Sequence, residues 1–218
     1  MFKDEEYKKM WKEAKERIIK NLYNKENRLF FNYQTRQFPS LAAFFPGVLA
    51  LDGETELALE NLQGIMRVWD NLGALPELCN IGENGDISIS AEGYPLRPEF
   101  PESIYHTFKV TKEDFLIDFG ERVLNTIEKT RSNCGFASIQ RVNGFVLDDI
   151  MDSFFLAETL KYLYLLFDID NFVNQGDYTF NTEAHLFPVF DIKEAHLSQF
   201  PDLIKQYNIV QEKKFGFF

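Results

Sequence analysis

Apolar residues recur at the spacing of an α-helix along most of this 218-residue chain. Side chains that return every three to four positions share one helix face and indicate that this face is buried. The pattern predicts helices over residues 7–22, 54–70, 98–109, 112–129 and 151–167. A nearly all-apolar stretch, Leu41–Leu51, adds a buried helix. We therefore predict an all-α fold with one domain over residues 1–190, followed by an unassigned helical tail over residues 191–218.

Two segments depart from helical periodicity. Asn71–Leu96 is rich in Gly, Asn and Pro and contains one candidate strand, Ile87–Ser90. A loop of this length inside a compact domain is usually functional or disordered. Farther along, Asn143-Gly144 is typical of a tight hairpin turn and predicts a small β-hairpin. The expected molecule is a helical domain decorated by long loops.

The net charge is −11, which argues against nucleic acid or an anionic membrane as a partner. Both of those partners select surfaces with clustered Lys and Arg, whereas the Lys-rich stretch Lys3–Lys20 is interleaved with acidic residues. An acidic chain is compatible with a neutral sugar ligand, or with a cation held by carboxylates. The net charge therefore argues against two classes of partner and leaves neutral sugars and cations as compatible ligands.

The N-terminal residues contain no apolar core of a signal peptide. The longest apolar run, around Phe44–Leu51, is too short to span a bilayer. Two cysteines, Cys79 and Cys134, cannot build a disulfide framework. One bridge between them and two buried free thiols both remain open.

Glu158 stands in the middle of an apolar helical stripe. The residues that share its face are Met151, Phe154, Phe155, Tyr162, Leu165 and Leu166. A carboxylate in that position would be buried, which is costly unless it is paired, protonated or close to a cation. Glu158 is therefore either a structural glutamate bonded to a backbone amide or an arginine, or part of a functional site.

Two acidic residues lie in the first turn of the helix predicted to begin at Pro98. Proline suits the first helical position because its missing N–H would be unpaired there in any case. Glu99 and Glu102 are three residues apart and share a face. Free N–H groups at a helix start favour ionised carboxylates, which suits a general base or a water-mediated cation ligand. The alternative is ordinary stabilisation of a helix start by acidic residues.

Asn181-Thr-Glu-Ala-His185 offers a hydroxyl and a carbonyl oxygen at Thr182 and a carboxylate at Glu183. These are hard oxygen ligands that suit Ca²⁺ better than Zn²⁺. A helix cap formed by the same residues is the structural alternative.

Taken in order, these segments resemble glycoside hydrolase family 47, and within it the ER degradation-enhancing α-mannosidase-like proteins. The matching stretches are Ser40-Leu-Ala-Ala-Phe-Phe-Pro-Gly47, Gly73-Ala-Leu-Pro-Glu77, Tyr94-Pro-Leu-Arg-Pro-Glu-Phe-x-Glu-Ser103, Cys134-Gly-Phe-Ala137, Met151-Asp-Ser-Phe-Phe-Leu-Ala-Glu158 with the residues up to Phe167, and Phe180-Asn-Thr-Glu-Ala-His185. The likeness extends from the first helix to about Phe190.

This resemblance implies part of an (α/α)7 barrel that binds Ca²⁺ and removes terminal α-1,2-linked mannose from high-mannose N-glycans of glycoproteins. Inversion needs a base-activated water opposite a general acid. By resemblance, Glu99 matches the proposed base and Thr182 the direct Ca²⁺ ligand. The residues that match sugar contacts or carboxylates around the ion are Arg97, Glu102, Phe154, Glu158 and Glu183. The implied location is the lumen of the endoplasmic reticulum.

Two departures from the family pattern affect the implied activity. The family's general-acid glutamate comes from an N-terminal half that has no match here, so we expect an incomplete catalytic set. Pro39 stands where an acidic residue usually precedes the Ser-Leu-x-Ala-Phe segment. Three hypotheses follow: a mannosidase completed by a missing N-terminal half or aided by a redox partner, an inactive module that binds mannose or glycoproteins, and a helical scaffold.

Overall fold

The computed structural model describes residues 5–189. The whole predicted tail, residues 191–218, lies outside these residues, and the predicted domain boundary remains a prediction. The helices within the described part are α1 (Glu5–Leu22), α2 (Phe45–Leu51), α3 (Thr55–Leu72), α4 (Glu99–Thr111), α5 (Phe115–Glu128), α6 (Leu160–Phe167) and α7 (Phe172–Gln175). The predicted helices over 7–22, 54–70, 98–109 and 112–129 are thereby confirmed, with shifts of a few residues at their ends.

Two predicted helices are not regular α-helices throughout. The segment predicted as one helix, Leu41–Leu51, is a 3₁₀ turn over Ser40–Phe44 followed by α2. The segment predicted over 151–167 contains a π turn, Phe155–Thr159, directly before α6. π turns are rare and occur frequently at functional sites. This one contains Glu158.

Short strands are more numerous than predicted. The described residues form β1 (Tyr23–Asn24), β2 (Leu29–Phe30), β3 (Gln37–Pro39), β4 (Leu78–Ile81), β5 (Ile87–Ala91), β6 (Arg131–Ser132), β7 (Gly135–Phe136), β8 (Ser138–Arg141), β9 (Val146–Asp148), β10 (Tyr178–Phe180) and β11 (Leu186–Pro188). They pair antiparallel into five small sheets, of which β3–β4–β5 has three strands and the others two. The prediction of an all-α domain with a single hairpin is therefore corrected. Strands of two to five residues are too short to show the alternation that reveals a strand in sequence.

The strands structure the long loops. β4 and β5 lie within the segment predicted as a loop, 71–96, and β5 includes the candidate strand Ile87–Ser90. Asn143-Gly144 lies in the turn between β8 and β9, as predicted. Both cysteines are free; Cys79 is buried in β4, whereas Cys134 is exposed, so the expectation that both thiols are buried is wrong for Cys134.

The helical framework packs closely where α2 meets α4. The backbone N–H of Gly47 donates to Ser103 Oγ at 2.9 Å, and that hydroxyl donates to the Ala43 carbonyl at 2.5 Å. A Cβ atom on Gly47 would lie 3.1 Å from Ser103 Cα, which is too close for ordinary packing. A side chain at position 47 would require the neighbouring backbone to move by a few tenths of an ångström, so glycine suits the close approach of α4 to α2.

Aromatic side chains fill the core that supports the start of α4. Trp69 of α3 is packed edge-on against Tyr94 with ring centres 5.5 Å apart, and it also contacts Phe100. Tyr162 of α6 is fully buried against Tyr105 and other rings. These buried aromatic side chains therefore fill the core against which α4 packs.

An open apolar groove of about 470 Å³ lies beside α1. Its walls include Ile18, Leu22, Phe30 and Phe45. Pro39, an exposed residue of β3, also lines the groove. None of the helices in residues 5–189 is long and apolar enough to cross a membrane.

Candidate functional site

The segment that leads into α4 brings two carboxylates and one arginine to a common place. Leu96 has a positive φ of 59°, which is uncommon for a side chain of this size, and its carbonyl accepts a hydrogen bond from the Thr159 hydroxyl at 2.7 Å. This bond ties the segment to the π turn. Glu99 begins α4, and Glu102 follows one turn later, so both project from the helix start next to that turn.

Arg97 is held by a residue that the sequence did not single out. Its Nε and Nη2 donate to Glu77 Oε1 and Oε2 at 2.6 and 3.0 Å. Its guanidinium carbon lies 5.8 Å from the centre of the Phe154 ring. This bidentate pair raises the pKa of Arg97 and fixes the planar head beside an aromatic face. Arg97 and Phe154, two predicted sugar-binding residues, are therefore in contact.

Glu99 has an unpaired oxygen in the protein interior. Its Oε2 atom is buried and has no hydrogen-bond partner among the described residues. Burial raises the pKa of this carboxyl, the bond from its own backbone N–H and the charge of Arg97 act in the opposite direction, and Glu77 raises it further. A buried carboxylate oxygen with no donor is costly, so it marks a place where a ligand, an ion or water is expected.

Glu102 and Glu158 share the electrostatic environment of Glu99. Burial raises the pKa of Glu102 to about 7, helped by the charges of Glu99 and Glu158, although Tyr162 Oη donates a hydrogen bond to its Oε1 at 3.3 Å. Burial also raises the pKa of Glu158 to about 7, with added repulsion from Glu183 and Glu99. Glu158 is only 6% exposed, which confirms the predicted burial.

The alternative of a structural, paired glutamate does not fit Glu158. No arginine or backbone amide in residues 5–189 donates a hydrogen bond to its carboxylate. The charge of Lys161 lowers its pKa, but the Lys161 ammonium itself donates to the Ala184 carbonyl at 2.8 Å. Repulsion from carboxylates outweighs this attraction.

Thr182 and Glu183 lie in the tight turn between β10 and β11. Asn181 Oδ1 accepts hydrogen bonds from the backbone N–H groups of Glu183 and His185, and Ala184 adopts a positive φ of 52°. The structural alternative of a helix cap is therefore wrong, because the segment joins two strands. Both Thr182 and Glu183 are exposed, and the bond from Lys161 anchors their turn to α6.

The site therefore combines four carboxylates, among which charge repulsion acts, with two cationic side chains. These two, Arg97 and Lys161, already donate hydrogen bonds to Glu77 and to the Ala184 carbonyl. The carboxylates are Glu99, Glu102, Glu158 and Glu183. No group of three or more His, Cys, Asp or Glu side chains in the described part of the chain is arranged to hold a metal ion directly. An oxygen-binding cation that Thr182 ligates, with carboxylates reaching it through water, fits this arrangement. A site in which three protein carboxylates ligate the cation directly does not fit this arrangement.

Comparison with known proteins decides the family. The model of glycosyl hydrolase family 47 matches residues 1–189. The chain belongs to this family. Family 47 relatives include ER degradation-enhancing alpha-mannosidase-like protein 1 of Schizosaccharomyces pombe, 44% identical over 168 residues that cover 76% of this chain and 21% of that protein. ER degradation-enhancing alpha-mannosidase-like protein 2 of Homo sapiens is 39% identical over 168 residues, covering 68% of this chain and 29% of that protein.

A solved family 47 structure has the same fold. The alpha-1,2-mannosidase from Trichoderma reesei superposes with a TM-score of 0.74 at 27% identity, covering 84% of this chain and 47% of that chain. The family 47 chain described here spans about a fifth to a third of the length of the curated relatives it matches. The framework of paired helices agrees with half of a helical barrel, and the closed barrel remains a prediction.

Sequence reasoning missed four residues of the family 47 site. Glu77 holds Arg97, Lys161 anchors the β10–β11 turn, Tyr162 bonds Glu102, and Tyr94 lies beside Glu99. Tyr162 belongs to the apolar helical stripe that contains Glu158, but a tyrosine in such a stripe is normally interpreted as part of the apolar core.

Proposed function

We propose that this domain forms the base-bearing part of an inverting α-1,2-mannosidase site that acts on high-mannose N-glycans of glycoproteins in the endoplasmic reticulum. The family assignment and the printed names of the relatives support this reading. The observation that carries it is the buried, unpaired Oε2 atom of Glu99 at the centre of a carboxylate cluster. Such an oxygen is suited to accept a proton from an attacking water.

Each neighbouring side chain has a proposed role in binding. Arg97 and Phe154 form a joined polar and aromatic surface, which suits a sugar ring because one face of a pyranose is apolar and its edges carry hydroxyls. Glu102, Glu158 and Glu183 accept hydrogen bonds from sugar hydroxyls or from water. Burial leaves the first two of these carboxyls about half protonated near pH 7 in the absence of a cation.

Ca²⁺ is the cofactor that this donor set fits, with Thr182 as the direct ligand. When bound, the ion supplies positive charge that keeps nearby carboxylates ionised and orders water among them. The residues of the chain do the rest: the β10–β11 turn presents Thr182, Lys161 fixes that turn, and the π turn directs Glu158 into the cluster.

The test is calorimetric titration of the chain with mannosyl-α-1,2-mannose in calcium and in EGTA. We expect binding that requires calcium and that falls at least tenfold in Thr182→Ala and Glu99→Gln, a loss of about 1.4 kcal/mol or more. Glu128→Gln is the matched control, because Glu128 is an exposed residue paired with Arg131. Calcium-independent binding, or equal loss in the control, contradicts the proposal.

Pro39 favours a second candidate, a module that binds mannose without hydrolysing it. Pro39 is exposed at the end of β3 and its side chain can neither exchange a proton nor ligate a metal. The two candidates separate when Pro39→Asp is assayed for mannose release together with the other half of a family 47 barrel. Release by the wild-type pairing rules out the binding module, and release only with Pro39→Asp supports it.

A further inference from the structure

Tyr94 is buried close to Glu99, and nothing in the proposed function uses it. Its side chain is 2% exposed, and its hydroxyl oxygen has no hydrogen-bond partner among the described residues. A buried hydroxyl without a partner costs free energy that a fold ordinarily avoids. The Glu99 carboxylate has the same deficiency at Oε2.

Both the backbone and the ring of Tyr94 are held in place by contacts. Its backbone forms a two-way bridge with Ile139, with N···O distances of 2.8 and 2.9 Å. Its ring stands edge-on to Trp69 at 84°. The hydroxyl therefore cannot swing away to find another partner without breaking these contacts.

The two unpaired atoms lie in one part of the core, because Trp69 packs against both the Tyr94 ring and the ring of Phe100, the residue after Glu99, with ring centres 5.5 and 5.7 Å apart. The charge of Glu99 also raises the pKa of Tyr94, although burial is the larger cause. They do not hydrogen bond each other directly. A single water commonly joins two buried polar atoms that lie near each other without a direct hydrogen bond.

Two donor groups near Glu99 already form hydrogen bonds. The guanidinium of Arg97 is engaged by both oxygens of Glu77, and the backbone N–H of Glu99 serves its own carboxylate. The remaining charged neighbours, Glu102 and Glu158, are acidic and cannot donate when ionised. Tyr94 is a neutral donor in this part of the core, and its hydroxyl has no partner among the described residues.

We propose that Tyr94 is the positioning residue of Glu99, its hydroxyl donating through one buried water to Glu99 Oε2. This deepens the proposed function and rests on it for the role of Glu99 as base. The water would hold the carboxylate ionised and at one orientation, while the opposite side of the site stays available to the sugar.

The test compares Tyr94→Phe with Tyr105→Phe in chain labelled with ¹³Cδ-glutamate, without calcium. Tyr105 is an equally buried tyrosine whose hydroxyl donates to Asn174 Oδ1, so its variant controls for loss of a buried hydroxyl. The Glu99 signal is assigned through Glu99→Gln. A donor to the ionised form lowers a carboxyl pKa, so we expect the Glu99 midpoint to rise by about one pH unit in Tyr94→Phe and to stay in place in Tyr105→Phe.

A crystal structure of the wild-type chain gives a second measurement that needs no variant to fold. We expect one ordered water within hydrogen-bond distance of both Tyr94 Oη and Glu99 Oε2. An unchanged midpoint in folded Tyr94→Phe, an equal shift in the control, or no such water overturns the inference. Calorimetry with mannosyl-α-1,2-mannose on the same samples separates the two proposals. Absence of sugar binding contradicts the proposed function. The role of Tyr94 is decided independently, by the titration midpoint of Glu99 and by the ordered water in the crystal structure.

Discussion

At the scale of single residues, the site is defined by carboxyl groups that are hard to ionise. Glu102 and Glu158 each have a pKa raised to about 7 from a usual 4.5, with burial as the largest cause. The charges of Glu99 and Glu158 add to the rise at Glu102, and those of Glu183 and Glu99 add to the rise at Glu158. Without a cation these groups weaken the fold at neutral pH, so the cluster is arranged for a ligand rather than for stability.

This arrangement makes stability depend on pH in a defined direction. For Glu158 the folded-state pKa lies above the unfolded value of 4.5, so the unfolded chain loses its proton first. Stability therefore falls as pH rises from 4.5 to about 7 and is constant in this respect above that range. We expect Glu158→Gln, which cannot ionise, to be more stable than wild type at pH 8 by on the order of 1 kcal/mol, and to show little gain at pH 4.

Urea unfolding in EGTA at the two pH values measures the effect, and Glu128→Gln serves again as the exposed control. A variant that gains equally at both pH values would show that the effect is one of packing, not of charge.

Some of these residues can be found from sequence and others cannot. Glu158 is identifiable because one charged residue interrupts an apolar stripe, and Glu99 and Glu102 because they follow a helix-starting proline. Arg97 and Phe154 depend on family resemblance, since nothing in their local pattern is unusual. Thr182 is visible as a hard oxygen donor, but the same segment could also have capped a helix. Tyr94 escapes both approaches, because its significance depends on a hydroxyl left unpaired by neighbours far away in the chain.

At the scale of elements, the contact between α2 and α4 positions the site. Ser103 lies one turn after Glu99, and its hydroxyl joins α4 to Gly47 and Ala43. Because no side chain separates the helices at Gly47, a change there shifts α4 and the carboxylates at its start together.

Substitutions at this contact should lower stability in a graded way. We expect Ser103→Ala to lose about 1–2 kcal/mol through two broken hydrogen bonds, and Gly47→Ala to lose about 1–3 kcal/mol because its methyl group forces the helices apart. Ser90→Ala, an exposed serine in β5, is the control and should change little. Thermal or urea denaturation measures all three, and an unaffected Gly47→Ala would show that α2 and α4 pack less closely than described.

Helices were more predictable than strands for a physical reason. Four helices follow from apolar spacing: α3, α4 and α5 each bury one face, and the apolar side of α1 is partly buried against the core. The strands pair across loops and contain five residues or fewer, so their pairing depends on neighbours rather than on their own pattern. The π turn at Phe155–Thr159 also leaves no trace in the spacing of the stripe.

At the scale of the whole molecule, the described part is a helical half with an apolar groove beside α1 and a carboxylate cluster at the start of α4. The residues matched to the family include a proposed base and no proposed general acid. Inverting hydrolysis needs both groups, one on each face of the scissile bond.

The chain by itself is therefore expected to release no measurable mannose from mannosyl-α-1,2-mannose, even where it binds the sugar. The measurement is quantification of free mannose after prolonged incubation with calcium, with a complete family 47 mannosidase as positive control. Robust release by the 218-residue chain would overturn this expectation and would require a general acid within it.

The π turn also constrains how this site can change over evolution. A π turn amounts to one residue inserted into a regular helix. Removing that one residue would restore a regular helix. Because successive residues of an α-helix are rotated by about 100°, the side chains before the deletion would then point in a different direction relative to those after it. Phe154 would leave Arg97, and the Thr159 link to Leu96 would lose its register. A lineage that shortened this segment would keep its helices and lose the contact between Arg97 and Phe154, so the length of this turn shows whether that contact is retained.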